Sequence, residues 1–448
     1  MINMTNNEDL KHTILKQILD FYLESRDSNG ISFISLYENY QDKCIEIIKE
    51  LITENKIDLY FNDVNPHVMH FEPMSTEKQI AEFDKRLKLN LHNKKTTEQY
   101  PETINIQIDY FCCCIYPDKK IIKGKIKHKY NSRPYSKELC QERICLDFRV
   151  FDNKILLDFI NDPRYYHHSG DYVGSLDYSD KHSLRSDKRF IPHYYFAINK
   201  QNKYDRKIAI LLCDLHKIPS KDQRDFKRYE INKDNYKLHP ICFQMICGHW
   251  PDYASIFSAF CEELDYINRM CIANKFPPLF KQIYKEKPVN FTFLMIPTEE
   301  YFQSFLHTLD IMLSDNIDIN FFKSPRIRAD LFQTTKDHEG HIYKEMKKPL
   351  KLLRDWVEKN FKPYKPDTKH PAIEIYDQFC EIRKLRSKGK AHNIIANRWD
   401  DSLVEKQMKI MIETYKKLRL IRLMLANLPS SKDIKIDDDI YLGKILDY

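Results

Sequence analysis

The sequence CEIRKLRSKGKAHNI, residues 380–394, contains an arginine and a histidine, Arg386 and His392, with five residues between them. Arg386 follows Phe379 by seven positions and Ile382 by four, so it continues the apolar stripe of a predicted helix. A guanidinium in that position is expected to face other helices, where it needs a carboxylate or a phosphate as its partner. The stretch therefore predicts a charged residue at the inner face of a helical bundle.

This stretch belongs to the third of four predicted helices that begin near residue 299. In each helix, apolar residues recur every three or four positions, as they do where one face is buried. The four stripes are Phe302, Phe305, Leu306, Leu309 and Leu313; Leu350, Leu353 and Val357; Ile375, Phe379 and Ile382; and Val404, Met408, Met411, Tyr415 and Leu418. We predict a four-helix bundle over residues 299–429, with a long charged loop over 320–345 and a tail over 430–448.

A glycine, Gly389, lies between the arginine and the histidine. On a straight helix, residues six positions apart point about 120 degrees away from each other. The two side chains can converge only if the helix ends or bends between them, and glycine weakens a helix at such a point. We therefore predict a helix end or a bend near Gly389.

The N-terminal residues 1–72 show the order helix, helix, then two short strands. The helices are indicated by the stripes Ile14, Ile18 and Tyr22, and Cys44, Ile47, Ile48, Leu51 and Ile52. The segments Ile57–Phe61 and His67–Phe71 flank a turn, and the whole order resembles a winged helix. The second helix is net acidic, which favours a protein-contact or structural role over DNA reading. Residues 73–100 are predicted to form a linker helix.

The middle of the chain, residues 101–298, mixes strands with a few helices. Ile104–Tyr110 alternates apolar and polar residues, and His193–Ile198 with Arg206–Leu212 predicts a hairpin around a polar turn. Asp252–Ala273 has the spacing of a helix. We predict a separate α+β domain that senses or binds a ligand.

One group of cysteine and histidine residues resembles a metal site. Cys242, Cys247 and His249 would need a fourth ligand such as His239, and the four residues between the thiols exceed the usual zinc spacing. Packed structural residues explain the group better. We therefore predict no metal and no cofactor.

A second arginine and histidine pair, Arg86 and His92, has the same spacing as the first. It lies on the predicted linker helix, where no neighbouring apolar stripes would build a bundle around it. The pattern therefore favours a solvated helix end over a site.

The composition excludes several classes of protein. Only 8 of the 448 residues are glycine, too few for the glycine-rich loops that cradle phosphates in nucleotide-binding proteins. A net charge of +7 permits binding to a polyanion without requiring it. The chain begins without the pattern of a signal peptide and has no apolar run long enough to cross a membrane. We expect a cytoplasmic protein whose cysteines are free thiols.

The stretch Leu385–Asn393 resembles the motif of the HEPN superfamily, in which an arginine, four to six residues and a histidine lie in a small helical bundle. As in that motif, a polar residue follows the arginine and a small residue precedes the histidine. The resemblance implies a dimer formed through the bundle and metal-independent RNA cleavage in antiviral defence or toxin systems, although other members are inert binding modules. The full chain also resembles bacterial HEPN-type proteins, which adds nothing to the predicted activity.

The residue types suit that reaction. When RNA is cleaved without metal, the 2′-hydroxyl loses a proton and attacks the adjacent phosphate, and the departing 5′-oxygen gains a proton. His392 is predicted to serve as general acid or base, and Arg386 to hold the phosphate through two hydrogen bonds. The residues predicted to bind RNA around them are Arg383, Lys384, Ser387, Lys388, Lys390 and Asn393.

Other interpretations of the same residues are open. Arg386 could pair with a bundle carboxylate such as Asp315 or Asp377, and His392 could cap the helix end. The protein would then be a non-catalytic nucleic-acid-binding or regulatory protein that dimerises through the bundle, or an adaptor that contacts other proteins. We expect a multidomain α+β protein that binds RNA, forms a homodimer, and receives a protein or ligand trigger through its middle domain.

Overall fold

A computed structural model describes the chain over residues 7–25, 28–61, 66, 73–99, 113–142, 144–178, 190–249, 254–327, 329–363, 368–391 and 398–445. Helices and antiparallel strands are mixed along these ranges, which confirms the predicted α+β class. Within them, every cysteine is a free thiol, and no helix is both long and apolar enough to cross a bilayer. The chain divides into two compact units. The first consists of Met1–Tyr166, Ser175–Tyr194 and Ile208–Lys233, and the second consists of His167–Gly174, Tyr195–Lys207 and Asp234–Tyr448.

The N-terminal part of the first unit is a core of helices and short strands. Its elements are α1 (Asn7–Glu24), β1 (Ile31–Ser32), α2 (Phe33–Tyr40), α3 (Lys43–Thr53), β2 (Ile57–Phe61), α4 (Thr76–Gln99) and β3 (Cys113–Pro117). The predicted helical stripes are buried, with Ile14 and Ile18 of α1 in the same apolar cluster as Ile48 and Leu51 of α3. Burying each such side chain contributes about 1.5–3 kcal/mol, which is why these two patterns fold together.

The three short strands form one antiparallel sheet in the order β1-β3-β2, so β3 is the central strand. Ile115 of β3 lies opposite Ile31 on one side and Leu59 on the other. The sequence pattern places β3 in the middle domain, whereas its long-range pairing joins it to the N-terminal core. The predicted strands His67–Phe71 and Ile104–Tyr110 lie outside the described residues.

The helix predicted as a linker over residues 73–100 is α4, and its first half is part of the N-terminal core. Phe83 is fully buried and packs edge to face against Phe33 of α2. The buried Gln79 side chain accepts a hydrogen bond from the backbone N–H of Leu59 at 2.8 Å. The spacing predicts the helix correctly, and its apolar residues pack against the N-terminal core, with Phe83 buried and Ile80 and Leu87 partly buried.

Residues 119–238 supply the main sheet and its helices. The elements are α5 (Lys119–Lys129), α6 (Pro134–Glu142), β4 (Phe148–Phe151), α7 (Leu157–Ile160), β5 (Tyr165–Ser169), β6 (Val173–Tyr178), β7 (Ile191–Asn199), β8 (Arg206–Leu211), α8 (Leu212–Lys217), α9 (Ser220–Tyr229), β9 (Glu230–Ile231) and β10 (Tyr236–Leu238). The strand order is β5-β6-β7-β8-β4-β9, with β10 paired to β7. The predicted hairpin is confirmed as β7 and β8, whose turn is closed by a hydrogen bond from Asn199 N to Asp205 O at 3.0 Å.

The second unit is mainly helical. Its remaining elements are α10 (Pro240–Ile246), α11 (Ile256–Ala273), α12 (Glu299–Met312), α13 (Ile319–Lys323), β11 (Phe332–Lys336), β12 (Ile342–Met346), α14 (Pro349–Asn360), α15 (Pro371–Ala391), α16 (Ser402–Ala426) and α17 (Asp438–Leu442). The four predicted helices are confirmed as α12, α14, α15 and α16, and every residue of their four stripes is buried. Helix α15 packs against the other three.

A fifth helix joins this assembly. Helix α11, which the sequence pattern assigns to the middle domain, packs along α16. A buried ion pair connects the two, with Arg422 Nε of α16 donating to Glu263 Oε2 of α11 at 2.5 Å. The helical assembly therefore begins before residue 299, because α11 has an apolar face that α16 covers.

The long loop predicted over 320–345 contains a β-hairpin instead. Strands β11 and β12 pair in antiparallel register, with Phe332 opposite Met346 and Lys336 opposite Ile342. Their side chains are largely exposed, so no alternation of apolar and polar residues marks them in the sequence. The strands are short and join across a tight turn at residues 337–341.

Candidate active site

Arg386 lies near the C-terminal end of α15 and is bound by two carboxylates. Its Nη1 donates to Asp310 Oδ2 at 2.6 Å and to Asp315 Oδ2 at 3.2 Å. The Arg386 side chain is 21% exposed and the Asp310 side chain is fully buried. The predicted inward position of Arg386 is therefore correct, and its partners are carboxylates of α12 and of the segment that follows α12.

Arg383, one helical turn earlier on α15, binds the same two carboxylates. It donates from Nη2 to Asp315 Oδ1, and its Nε lies 3.5 Å from Asp310 Oδ2. The two arginines and two aspartates form a compact cluster, which we call the Arg-Asp cluster. It contains two positive and two negative charges, so it has no net charge.

The carboxylates fix the charge and the direction of the Arg386 guanidinium. The hydrogen bond to Asp310, together with the weaker contact to Asp315, raises the pKa of Arg386 above its ordinary value. Arg386 therefore stays positively charged at every physiological pH. Arg386 forms two hydrogen bonds to described residues, and Nη1 is the donor in both. Its Nε and Nη2 donate to no described residue.

The two aspartates are held in different ways. Asp310 follows Leu306 by four positions on α12 and shares its buried face, so its carboxylate cannot reach water. Asp315 lies beyond the end of α12, where its N–H donates to Asp310 O at 3.1 Å and Lys281 Nζ donates to its carbonyl at 2.6 Å. Asp310 Oδ1 is buried and forms no hydrogen bond to a described residue.

Four other predicted RNA-binding residues lie on α15, and three of them are described as exposed side chains. Lys384 and Lys388 are exposed. Ser387 is also exposed, but its hydroxyl donates back to Arg383 O at 2.9 Å, one turn earlier in the same helix. Lys390 is in the last turn of the helix. Lys384 and Lys388 are each two positions from Arg386, so they project from nearly the opposite face of α15 and lie away from the Arg-Asp cluster.

The predicted general acid or base, His392, lies outside the described residues, as does Asn393. Helix α15 continues through Gly389 without a break and is described as far as Ala391. Gly389 therefore neither ends nor interrupts the helix. The last described helical residue, Ala391, directly precedes His392. Convergence of His392 with Arg386 remains a prediction.

The sequence named two candidate partners for Arg386 and missed a third. Asp315 is one of the partners, as anticipated. Asp377 instead accepts a hydrogen bond from Lys369 at 2.7 Å on the surface. Asp310 was missed, although an acidic residue that continues a buried stripe is an available signal.

The cysteine and histidine group has the contacts of structural residues. Cys242 is buried, its Sγ donates to Tyr172 O at 3.0 Å, and burial raises the pKa of its thiol to about 12. His239 Nδ1 accepts from Ile241 N at 3.3 Å and so caps α10, while Cys247 and His249 are exposed. Across the described ranges, no three histidine, cysteine, aspartate or glutamate side chains are grouped so as to hold a metal ion.

The second arginine of matching spacing, Arg86, has local partners in the N-terminal core. Its Nε donates to Glu82 at 2.7 Å, one turn earlier on α4, and its guanidinium lies 4.5 Å from the centre of the Phe61 ring. These contacts hold the Arg86 guanidinium against the core of the first unit. They favour a structural role for Arg86.

The Arg-Asp cluster therefore contains Arg386, the described member of the predicted catalytic pair. The HEPN resemblance depends on the motif and on the buried helical stripes that surround it. No family model matches the chain, and no curated protein or solved structure is significantly similar to it.

Proposed function

We propose that the protein is a HEPN-type endoribonuclease that cleaves RNA without a metal ion. The observation that supports this is the state of Arg386, which is charged, anchored by the buried Asp310, and has Nε and Nη2 not engaged by any described residue. A guanidinium held in this way can donate two parallel hydrogen bonds to a phosphate. The HEPN resemblance also implies an acidic residue on another helix, and we assign Asp310 of α12 to that role as part of the proposal.

In the proposed reaction, the RNA supplies its own nucleophile. His392 removes the proton from a 2′-hydroxyl, whose oxygen attacks the neighbouring phosphorus while the bond to the 5′-oxygen breaks. The protonated His392 then gives a proton to the departing 5′-oxygen, which yields a 2′,3′-cyclic phosphate and a 5′-hydroxyl. Arg386 stabilises the charge that develops on the phosphate oxygens during the attack. Asp310 acts as a positioning residue that keeps the guanidinium in place.

Exposed lysines on the face of α15 opposite Arg386 are further candidates for contacts with an RNA backbone. Lys384 and Lys388 are exposed on the same helix as Arg386, and phosphate contacts by such residues make binding strongly salt-dependent.

We propose that two copies of the protein meet through their helical bundles and combine two sites in one cleft. Analytical ultracentrifugation measures whether the protein dimerises, and a monomer at every concentration would contradict the proposal.

The test of the enzyme is cleavage of a defined single-stranded RNA by the full-length protein in the presence of EDTA. Wild type is expected to produce fragments with cyclic phosphate ends, and His392→Ala is expected to lose at least a hundredfold in rate, the usual size of general acid–base catalysis. His338→Ala, in the exposed turn of the β11–β12 hairpin, is the matched control and is expected to cleave like wild type. Equal cleavage by wild type and His392→Ala would contradict the proposal.

A second function is supported by the carboxylates themselves. Asp310 and Asp315 together neutralise Arg383 and Arg386, as they would in a non-catalytic bundle that serves dimerisation and regulation. Such a protein would bind RNA with a dependence on salt but would leave it intact. The same cleavage assay, run beside a binding measurement at two salt concentrations, separates the two functions.

We also propose that the N-terminal core is a winged-helix-like module with α4 inserted between its last two strands. The position of β1 between α1 and α2 and the sheet order β1-β3-β2 support this. Its helix α3 carries Glu46 and Glu50, so we assign the module to protein contact or structure. Lys43→Glu is then expected to leave binding of duplex DNA by the full-length protein unchanged, and a marked loss would contradict the assignment.

A further inference from the structure

We propose that Arg383 and Arg386 form a binding site for a tetrahedral oxyanion, and that Asp315 occupies this site until an RNA phosphate displaces it. The identification of the ligand as RNA depends on the proposed function, whereas the oxyanion site does not. Each oxygen of the Asp315 carboxylate binds a different guanidinium, Oδ1 to Arg383 Nη2 and Oδ2 to Arg386 Nη1. A phosphodiester presents two non-bridging oxygens in a similar fork, which arginine recognises well.

The two carboxylates of the Arg-Asp cluster differ in their freedom to leave. Asp310 is fully buried, so moving its charge away from the arginines would leave it without water or a counterion. The side chain of Asp315 is 44% exposed and can be hydrated as soon as it turns outward. Only Asp315 is therefore a displaceable partner.

The backbone around Asp315 permits this movement. Two hydrogen bonds to the main chain of Asp315 hold this segment. Asp315 N donates to Asp310 O at 3.1 Å, and Lys281 Nζ donates to the Asp315 carbonyl at 2.6 Å. Neither contact uses the carboxylate. Rotation of the side chain can thus release both arginines while the chain stays in place.

The net charge of the Arg-Asp cluster determines the charge of the ligand that it can bind. With Asp315 in the site, two positive charges face two negative charges and an incoming anion gains little. With Asp315 turned away, the site has one net positive charge, which a singly charged phosphodiester neutralises. Asp315 therefore acts as an internal competitor that weakens binding of every phosphate, and RNA binds only where further phosphate contacts compensate.

The test compares variants of the full-length protein by fluorescence anisotropy with a labelled single-stranded RNA. Asp315→Asn is expected to bind about fivefold more tightly than wild type, the size that release of partly exposed ion pairs allows. The control is Glu381→Gln, which removes the same charge from an exposed position on α15. Glu381 forms no ion pair with a described residue, so this variant is expected to change affinity by less than about twofold. Asp310→Asn also removes one charge, but it is expected to weaken binding because Arg386 loses its anchor.

A second probe makes the result independent of RNA. Sulfate added in a thermal unfolding experiment is expected to raise the melting temperature of Asp315→Asn more than that of Glu381→Gln or wild type. If Asp315→Asn neither binds RNA more tightly nor responds more to sulfate than Glu381→Gln, the displaceable-carboxylate proposal is wrong. Absence of RNA cleavage would overturn the enzyme proposal alone, since both of these readouts measure binding.

Discussion

Replacement of Arg386 by methionine is expected to destabilise the helical unit more than replacement of Asp310 by asparagine. In Arg386→Met, the fully buried Asp310 carboxylate keeps only Arg383, whose Nε is 3.5 Å away. Leaving a buried charge without its main partner costs about 3–5 kcal/mol. Asp310→Asn is milder, because Arg386 is 21% exposed and still binds Asp315. Its expected cost is about 1.5–3 kcal/mol, the range for losing one hydrogen bond to a charged group.

The assay is urea unfolding of the full-length variants followed by far-ultraviolet circular dichroism, with hydrogen exchange of α12 as a local readout. The double variant Asp310→Asn with Arg386→Met is expected to lose less than the sum of the single variants, because the buried charge and its partner are removed together. The reasoning is refuted if Asp310→Asn destabilises as much as Arg386→Met, or if the two effects simply add. For activity measurements, Arg386→Lys is preferable because it retains a positive charge beside Asp310.

Three further predictions follow from contacts elsewhere in the two units. Arg422→Met leaves the buried Glu263 without its cation and is expected to cost about 3–5 kcal/mol in urea unfolding, so a loss below about 1 kcal/mol would contradict the role of this pair. Burial, followed by repulsion from nearby carboxylates, raises the pKa of Glu262 to about 7. The folded state therefore binds this proton more tightly than the unfolded state, and stability is expected to fall by about 1–2 kcal/mol between about pH 5 and pH 8, discounted because the group is only half buried. Glu262→Gln should flatten that slope, and an unchanged slope would assign the effect to other groups. Ile342→Ser, at a side chain that is 67% exposed in the β11–β12 hairpin, is expected to change stability by less than about 0.5 kcal/mol in thermal unfolding; a larger loss would show that the hairpin is packed.

Periodicity in the sequence predicted the helices well because the burial of one helix face is a local signal. The stripes of α12, α14, α15 and α16 are buried as expected, and so are those of α1 and α3. The hairpin of β11 and β12 carried no such signal, since both of its faces are largely exposed. The pairing of β3 with β1 and β2, and the packing of α11 on α16, join distant segments that no local spacing connects.

The candidate site was predictable in part. Arg386 continues its stripe four positions after Ile382, so it was expected to face other helices and to meet a carboxylate or a phosphate, and its partners are carboxylates. Asp310 continues the stripe of α12 four positions after Leu306, so two opposite charges on two buried stripes were available for matching. The sequence could not reveal that Asp315 would bind both arginines, because its position depends on how the chain leaves α12.

The central strand β3 has a practical consequence for dissecting the protein. In the pairing of β2 with β3, Ile57 lies opposite Pro117 at one end and Phe61 lies opposite Cys113 at the other, so two strands that are distant in sequence hold each other. A protease that cuts between residues 62 and 112 would produce two fragments that stay associated through this pairing. A shortened protein that ends at residue 72 would lack β3, exposing the edges of β1 and β2 to aggregation. Fragments made for separate study should therefore retain residues 7–117 as one piece.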